Sequence, residues 1–74
     1  MANLLSQLGD LVFYLKLGQI SKEYFGFSRA WIYQRINGYD GNGNECSLTP
    51  EQLQTFKEAL HDIARKIDET ADKL

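Results

Sequence analysis

The sequence predicts an all-α fold, with a helix-turn-helix core of three short helices and a long C-terminal helix. Three features carry this expectation. Apolar residues recur at steps of three and four along most of the chain, which is the period of a helix face. The segment Thr49-Pro50-Glu51-Gln52 is a helix start, with Thr49 as N-cap, Pro50 at the first helical position and Gln52 completing a capping box. Gly26 and Gly38 stand where two shorter helices stop, because glycine takes positive φ without strain.

The elements follow in order. Residues 1–15 form the N-terminal helix: Leu4, Leu5, Leu8, Leu11, Val12 and Leu15 share one face, which predicts an amphipathic helix over about residues 3–14. Gly9 weakens it by ~1 kcal/mol against alanine. The run Val12-Phe13-Tyr14-Leu15 also fits a strand, and periodicity leaves both readings open. Residues 17–38 form the helix-turn-helix. Leu17, Ile20 and Tyr24 mark its first helix, which ends at Phe25-Gly26. Ser28 is the N-cap of the second helix, and Asn37-Gly38 ends it. Ser21 is the small residue that lets the two helices approach, Phe27 plugs the core beneath the turn, and Trp31, Ile32 and Ile36 face inward. Residues 39–48 are a Gly/Asn loop, too short for an independent hairpin. Residues 49–73 form the long helix, whose seam Leu53, Phe56, Leu60, Ile63 and Ile67 keeps heptad spacing. At 1.5 Å per residue this helix is ~36 Å long, against a radius of gyration of ~11 Å for a compact chain of this size. Its last turns therefore project or pack on a second copy.

Composition narrows the function. Seventy-four residues make one domain, 1–74. A domain this small gains from added support. Cys46 alone makes no internal disulfide, and Cys46 with His61 is too few ligands for a structural zinc site. Oligomerisation remains, and a homodimer through the C-terminal helix is expected. No cofactor and no metal is expected. The single cysteine, the absence of a leader pattern and the absence of a long apolar run predict a cytoplasmic protein without a membrane span. Nothing arranges a nucleophile with a base: His61 lacks a partner and Cys46 lacks a basic neighbour, so no enzyme is expected.

Net charge is −2, which argues against a strongly basic nucleic-acid binder. Its distribution is uneven. Residues 1–39 carry four basic side chains against two acidic ones, while residues 40–74 carry four against eight. The basic excess coincides with the helix-turn-helix. On a helical wheel the outward face of its second helix carries Ala30, Tyr33, Gln34 and Asn37. Gln and Asn can bond an adenine edge bidentately, and Ala can touch a thymine methyl. Lys22, Ser28 and Arg29 lie where phosphates would pass. Double-stranded DNA is thus the leading candidate partner, and a protein–protein module without nucleic-acid binding is the alternative. Arg35 falls on the buried side; its stem is expected on Trp31 and its guanidinium on a carboxylate of the C-terminal helix, with a DNA contact as the other reading. A remote third reading is weak calcium binding. Asp40, Asn42, Asn44 and Glu51 match positions 1, 3, 5 and 12 of an EF-hand frame, but Glu45 replaces the turn glycine and Ser47 the apolar residue.

The segment Ser28-Arg29-Ala30-Trp31-Ile32-Tyr33-Gln34-Arg35-Ile36-Asn37-Gly38 resembles the phage-repressor type of helix-turn-helix, in which a serine opens the recognition helix and Asn-Gly closes it. The small residue Ser21 precedes Gly26 by five positions rather than the four of that family, which predicts a turn one residue longer. Over most of its length the chain also resembles a family of short uncharacterised proteins from gut anaerobes. Tyr24-Phe25-Gly26, Trp31 to Gly38 and Leu48-Thr49-Pro50-Glu51 carry that likeness. It implies a helix-turn-helix-like fold and no particular activity.

Overall fold

The computed structural model describes residues 4–74, and it is all-α. Its elements are α1 (Leu4–Leu8), a 3₁₀ helix (Gly9–Tyr14), α2 (Leu17–Ile20), which runs on as a π-helical segment (Ser21–Phe25), α3 (Arg29–Asn37) and α4 (Pro50–Lys73). Among the described residues the only β pairing is an isolated antiparallel bridge, Tyr39 with Glu45, across the Gly/Asn loop.

The expected single helix over residues 3–14 is corrected at Gly9. Asn3 lies outside the described residues. Gly9 adopts φ +55°, the left-handed region, and the chain changes there from α to 3₁₀ winding. A 3₁₀ turn has three residues rather than 3.6, so it rotates the apolar stripe off one face. Leu4, Leu8, Val12 and Leu15 still pack on the core, whereas Leu5 and Leu11 are exposed. Residues 12–14 are helical and only Leu15 is extended, so the strand reading does not hold.

The extra residue between Ser21 and Gly26 does not lengthen the turn. It is taken up inside the preceding helix, as the π-helical segment. A π turn closes on i→i+5 bonds and so absorbs one more residue than an α turn. Only Gly26, Phe27 and Ser28 then separate the segment from α3. Gly26 sits at φ +73°. The backbone N–H of Phe27 reaches back six residues to the Ser21 carbonyl at 3.2 Å.

Ser21 fills the space under this turn. It is 0 % exposed, and its Oγ donates to the Ser28 carbonyl at 2.6 Å. Phe27, expected to plug the core, is instead 47 % exposed. With the serine already beneath the turn, the phenyl ring lies outside it, stacked on Trp31 at 4.5 Å between centroids. Trp31 is half-buried rather than fully buried, flanked also by Phe25 at 5.0 Å.

The core joins Leu17 and Ile20 of α2, Ile32 and Ile36 of α3, and Phe56 and Ala59 of α4. α4 starts as its sequence requires. Thr49 Oγ1 accepts from the Gln52 N–H at 3.1 Å, and Gln52 Oε1 accepts from the Thr49 N–H at 2.9 Å. Of the expected seam only Phe56 is fully buried. Leu53, Leu60 and Ile63 are half-buried and Ile67 is exposed. Ala59, beside the seam, is at 0 %: its small side chain lets α4 lie close to the core.

Candidate nucleic-acid interface

α3 is fixed at both ends by local chemistry. Ser28 Oγ accepts the Trp31 N–H at 3.2 Å, satisfying a donor that the first helical turn leaves open. At the other end Gly38 adopts φ +95°, and its N–H and that of Tyr39 both bond the Gln34 carbonyl, at 2.8 and 3.1 Å. Ile32 and Ile36 hold the inner face in the core. Wheel geometry then sends Ala30, Gln34 and Asn37 to the opposite side. Arg29, three residues before Ile32, lies toward α2, and Tyr33, expected on the outward face, packs against the edge of the core. Arg29, Ala30 and Asn37 are exposed, while Tyr33 and Gln34 are half-buried. Lys22 and Ser28 are exposed on either side of the turn. The seven candidate residues thus lie on α3 and its approach, and α3 contains no acidic residue.

The two arginines of α3 are held differently. Arg29 lies with its guanidinium carbon 5.0 Å from the Tyr33 ring centroid. Arg35 lies 4.6 Å over the Trp31 ring and donates from Nη1 to the Trp31 carbonyl at 3.2 Å. The expected stacking of Arg35 on Trp31 is therefore present, but the expected ion pair with α4 is not. Among the described residues the ion pairs join Arg65 to Asp62 and Glu69, and Lys66 to Asp62, all within α4. The stacked guanidinium instead turns back along α3, where the Trp31 carbonyl accepts from it.

Sequence reasoning missed three features. Gly18 of α2 meets the Arg29 stem. An isolated glycine in a helical pattern is the signal that could have suggested such a close approach. Ala59 is fully buried, and its small side chain gives no signal in sequence beside larger apolar neighbours. The third is a long-range bond: Tyr24 Oη donates to Asp62 Oδ2 at 2.6 Å and ties the π segment to α4. No local pattern links residues 38 apart in sequence. The Tyr24 hydroxyl, with Arg65 and Lys66, lowers the Asp62 carboxyl to about 2, and the same bond raises the Tyr24 hydroxyl above its ordinary value.

The loop residues of the calcium frame satisfy one another. Asp40 Oδ1 accepts the backbone N–H of Asn42 and of Asn44, at 2.8 and 3.0 Å. Those bonds hold its carboxyl below the usual carboxylate range. Among the described residues, no three His, Cys, Asp or Glu side chains converge as metal ligands. No helix among them is long and apolar enough to cross a membrane.

Fold and surface together define a small all-helical domain with an acid-free helix face beside a tight glycine turn. Residues 4–74 match the family described as domain of unknown function (DUF5053), and the chain belongs to that family. No curated protein and no solved structure matches it.

Proposed function

We propose that this chain is a small, non-catalytic, cytoplasmic DNA-binding or regulatory protein, in which α2, the Gly26 turn and α3 act as a phage-repressor-like helix-turn-helix. The supporting observation is the surface of α3: Ala30 and Asn37 exposed on its outward face with Gln34 beside them, Arg29 exposed and Tyr33 half-buried at its flank toward α2, and no acid in the helix. In the major groove such a row offers an amide pair for adenine edges and a methyl for thymine. Lys22 and Arg29 are its phosphate contacts. Two neutralised phosphates give a salt slope of roughly −1.8 per chain, shallow for a DNA-binding protein.

A mobility-shift titration with mixed duplex fragments tests this. The wild type binds at low salt and loses binding as salt rises, while the variant Arg29→Gln, Gln34→Ala loses binding and keeps its helical circular dichroism. Wild type without salt-sensitive binding overturns the reading.

A second reading, a homodimer or protein-interaction module, draws support from a different surface. Ile67 is 62 % exposed, Leu74 is fully exposed, and Phe13 and Tyr14 stand in solvent. Isolated exposed apolar residues are ordinary, but an apolar seam that continues past the core is a feature of interfaces. The two readings are compatible, since helix-turn-helix proteins commonly bind DNA as dimers.

A further inference from the structure

Gly18 lies in α2 and has no positive φ, so backbone conformation does not require glycine there. What stands against any larger residue is Arg29. A Cβ built on Gly18 would meet the Arg29 Cγ at 3.1 Å and its Cβ and Cδ at 3.3 Å. The arginine stem thus lies flat on the bare backbone of α2. One helical turn further along α3, the Tyr33 ring carries the guanidinium, 5.0 Å from its centroid. Among the described residues Arg29 joins no ion pair and makes no hydrogen bond through its guanidinium, unlike Arg35 and Arg65. It is a cation braced on two sides whose donors are unspent.

We propose that Gly18 and Tyr33 are positioning residues for Arg29, holding its guanidinium where it meets a phosphate oxygen of duplex DNA. This rests on the DNA-binding reading above. Five donors in a planar fork suit a phosphate, and a side chain already held in place loses less freedom on binding. Gly18 acts without touching DNA, and Tyr33, itself in the proposed binding face, acts on Arg29 through its ring.

The test is fluorescence anisotropy of a labelled mixed-sequence duplex titrated with the full chain at several salt concentrations. Variants are Arg29→Gln, Gly18→Ala, Tyr33→Leu, Tyr33→Phe and the doubles of Arg29→Gln with Gly18→Ala or Tyr33→Leu. Loss of one phosphate contact lowers the salt slope by about 0.9 and weakens binding roughly eightfold at about 0.1 M salt. Arg29→Gln should show that loss, and Gly18→Ala and Tyr33→Leu should move toward it. Tyr33→Phe, which keeps the ring under the guanidinium, should retain more binding and a steeper salt slope than Tyr33→Leu. Each double should bind no worse than Arg29→Gln alone, because residues that act through one another are not additive. Two outcomes overturn the inference: Gly18→Ala and Tyr33→Leu binding as wild type does, or their losses adding in full to that of Arg29→Gln. If Gly18→Ala does not fold, the Leu and Phe variants at position 33 decide alone. Wild type that fails to bind removes the parent reading and this inference together; additive losses on a wild type that binds remove only the inference.

Discussion

Ile32 lies directly beneath the exposed row of α3 and is 0 % exposed, so its packing sets how rigidly that row is carried. Trimming one methyl there leaves a small void that close-packed neighbours fill only in part. Ile32→Val should cost about 1 kcal/mol in urea unfolding followed by Trp31 fluorescence. A stability unchanged from wild type would mean that the site is looser than its burial implies. The Tyr24–Asp62 bond makes a second prediction, in which pH provides the control. The Asp62 carboxyl is lowered from 3.8 to about 2 in the folded chain. Folding therefore favours its ionised form: the contribution is present above pH 3.8 and fades as pH falls toward 2. Tyr24→Phe should lower the thermal midpoint at pH 7, and its gap from wild type should narrow as pH falls through that window. On the alkaline side the raised Tyr24 hydroxyl favours the neutral phenol, so stability is lost above its ordinary value of 10.0. A gap between the two proteins that holds constant from pH 7 to pH 2 would show that the hydroxyl does not act through Asp62.

At the scale of elements, the π-helical segment accounts for the spacing that separates this chain from a phage-repressor pattern. If Ser21–Phe25 holds one surplus residue, removing an exposed one should return the segment to α winding and leave both flanks in register. Deletion of Glu23 should then give a chain that still melts cooperatively, within about 1 kcal/mol of wild type. A broad melt without a cooperative transition would mean that the widened turn is itself required. The same segment shows where the sequence could be read. The start of α4 and the ends of α3 were legible because Thr49, Gln52, Ser28 and Gly38 act on backbone atoms within four residues of themselves. The π winding was not, because Ile20 and Tyr24 are four apart and fit an ordinary helix. The break at Gly9 was not legible, since a propensity near 1 kcal/mol does not say whether a helix bends or ends. Within the candidate interface the outward placement of Ala30, Gln34 and Asn37 was legible from the helical period. The brace of Gly18 on Arg29 was not, because it depends on how closely two helices pack.

For the whole molecule, shape supplies the last prediction. The chain measures 45 × 25 × 20 Å with a radius of gyration of 13.2 Å, against ~11 Å for a compact domain of its length. The excess comes from α4, whose 24 residues run ~36 Å and carry Ile67 and Leu74 beyond the core. Near its middle, Ile63 and Lys66 share an open groove of about 330 Å³ with Tyr14, so the exposed end of the 3₁₀ helix borders the same side of α4. A stable pair of chains needs about 600 Å² or more from each partner. Apolar side chains on the projecting turns of α4, with Phe13 and Tyr14, are the surface best suited to supply it. Ile67 is exposed enough that aspartate there should leave the monomer core intact, whereas in a dimer it would bury an unpaired charge. Sedimentation equilibrium at micromolar concentration should give wild type at twice its 8.5 kDa chain mass and Ile67→Asp at the single mass, with equal helical circular dichroism. Wild type running at the single mass would remove the homodimer; each DNA-bound chain would then rely on Lys22 and Arg29 alone, and the salt slope should stay near −1.8 rather than double.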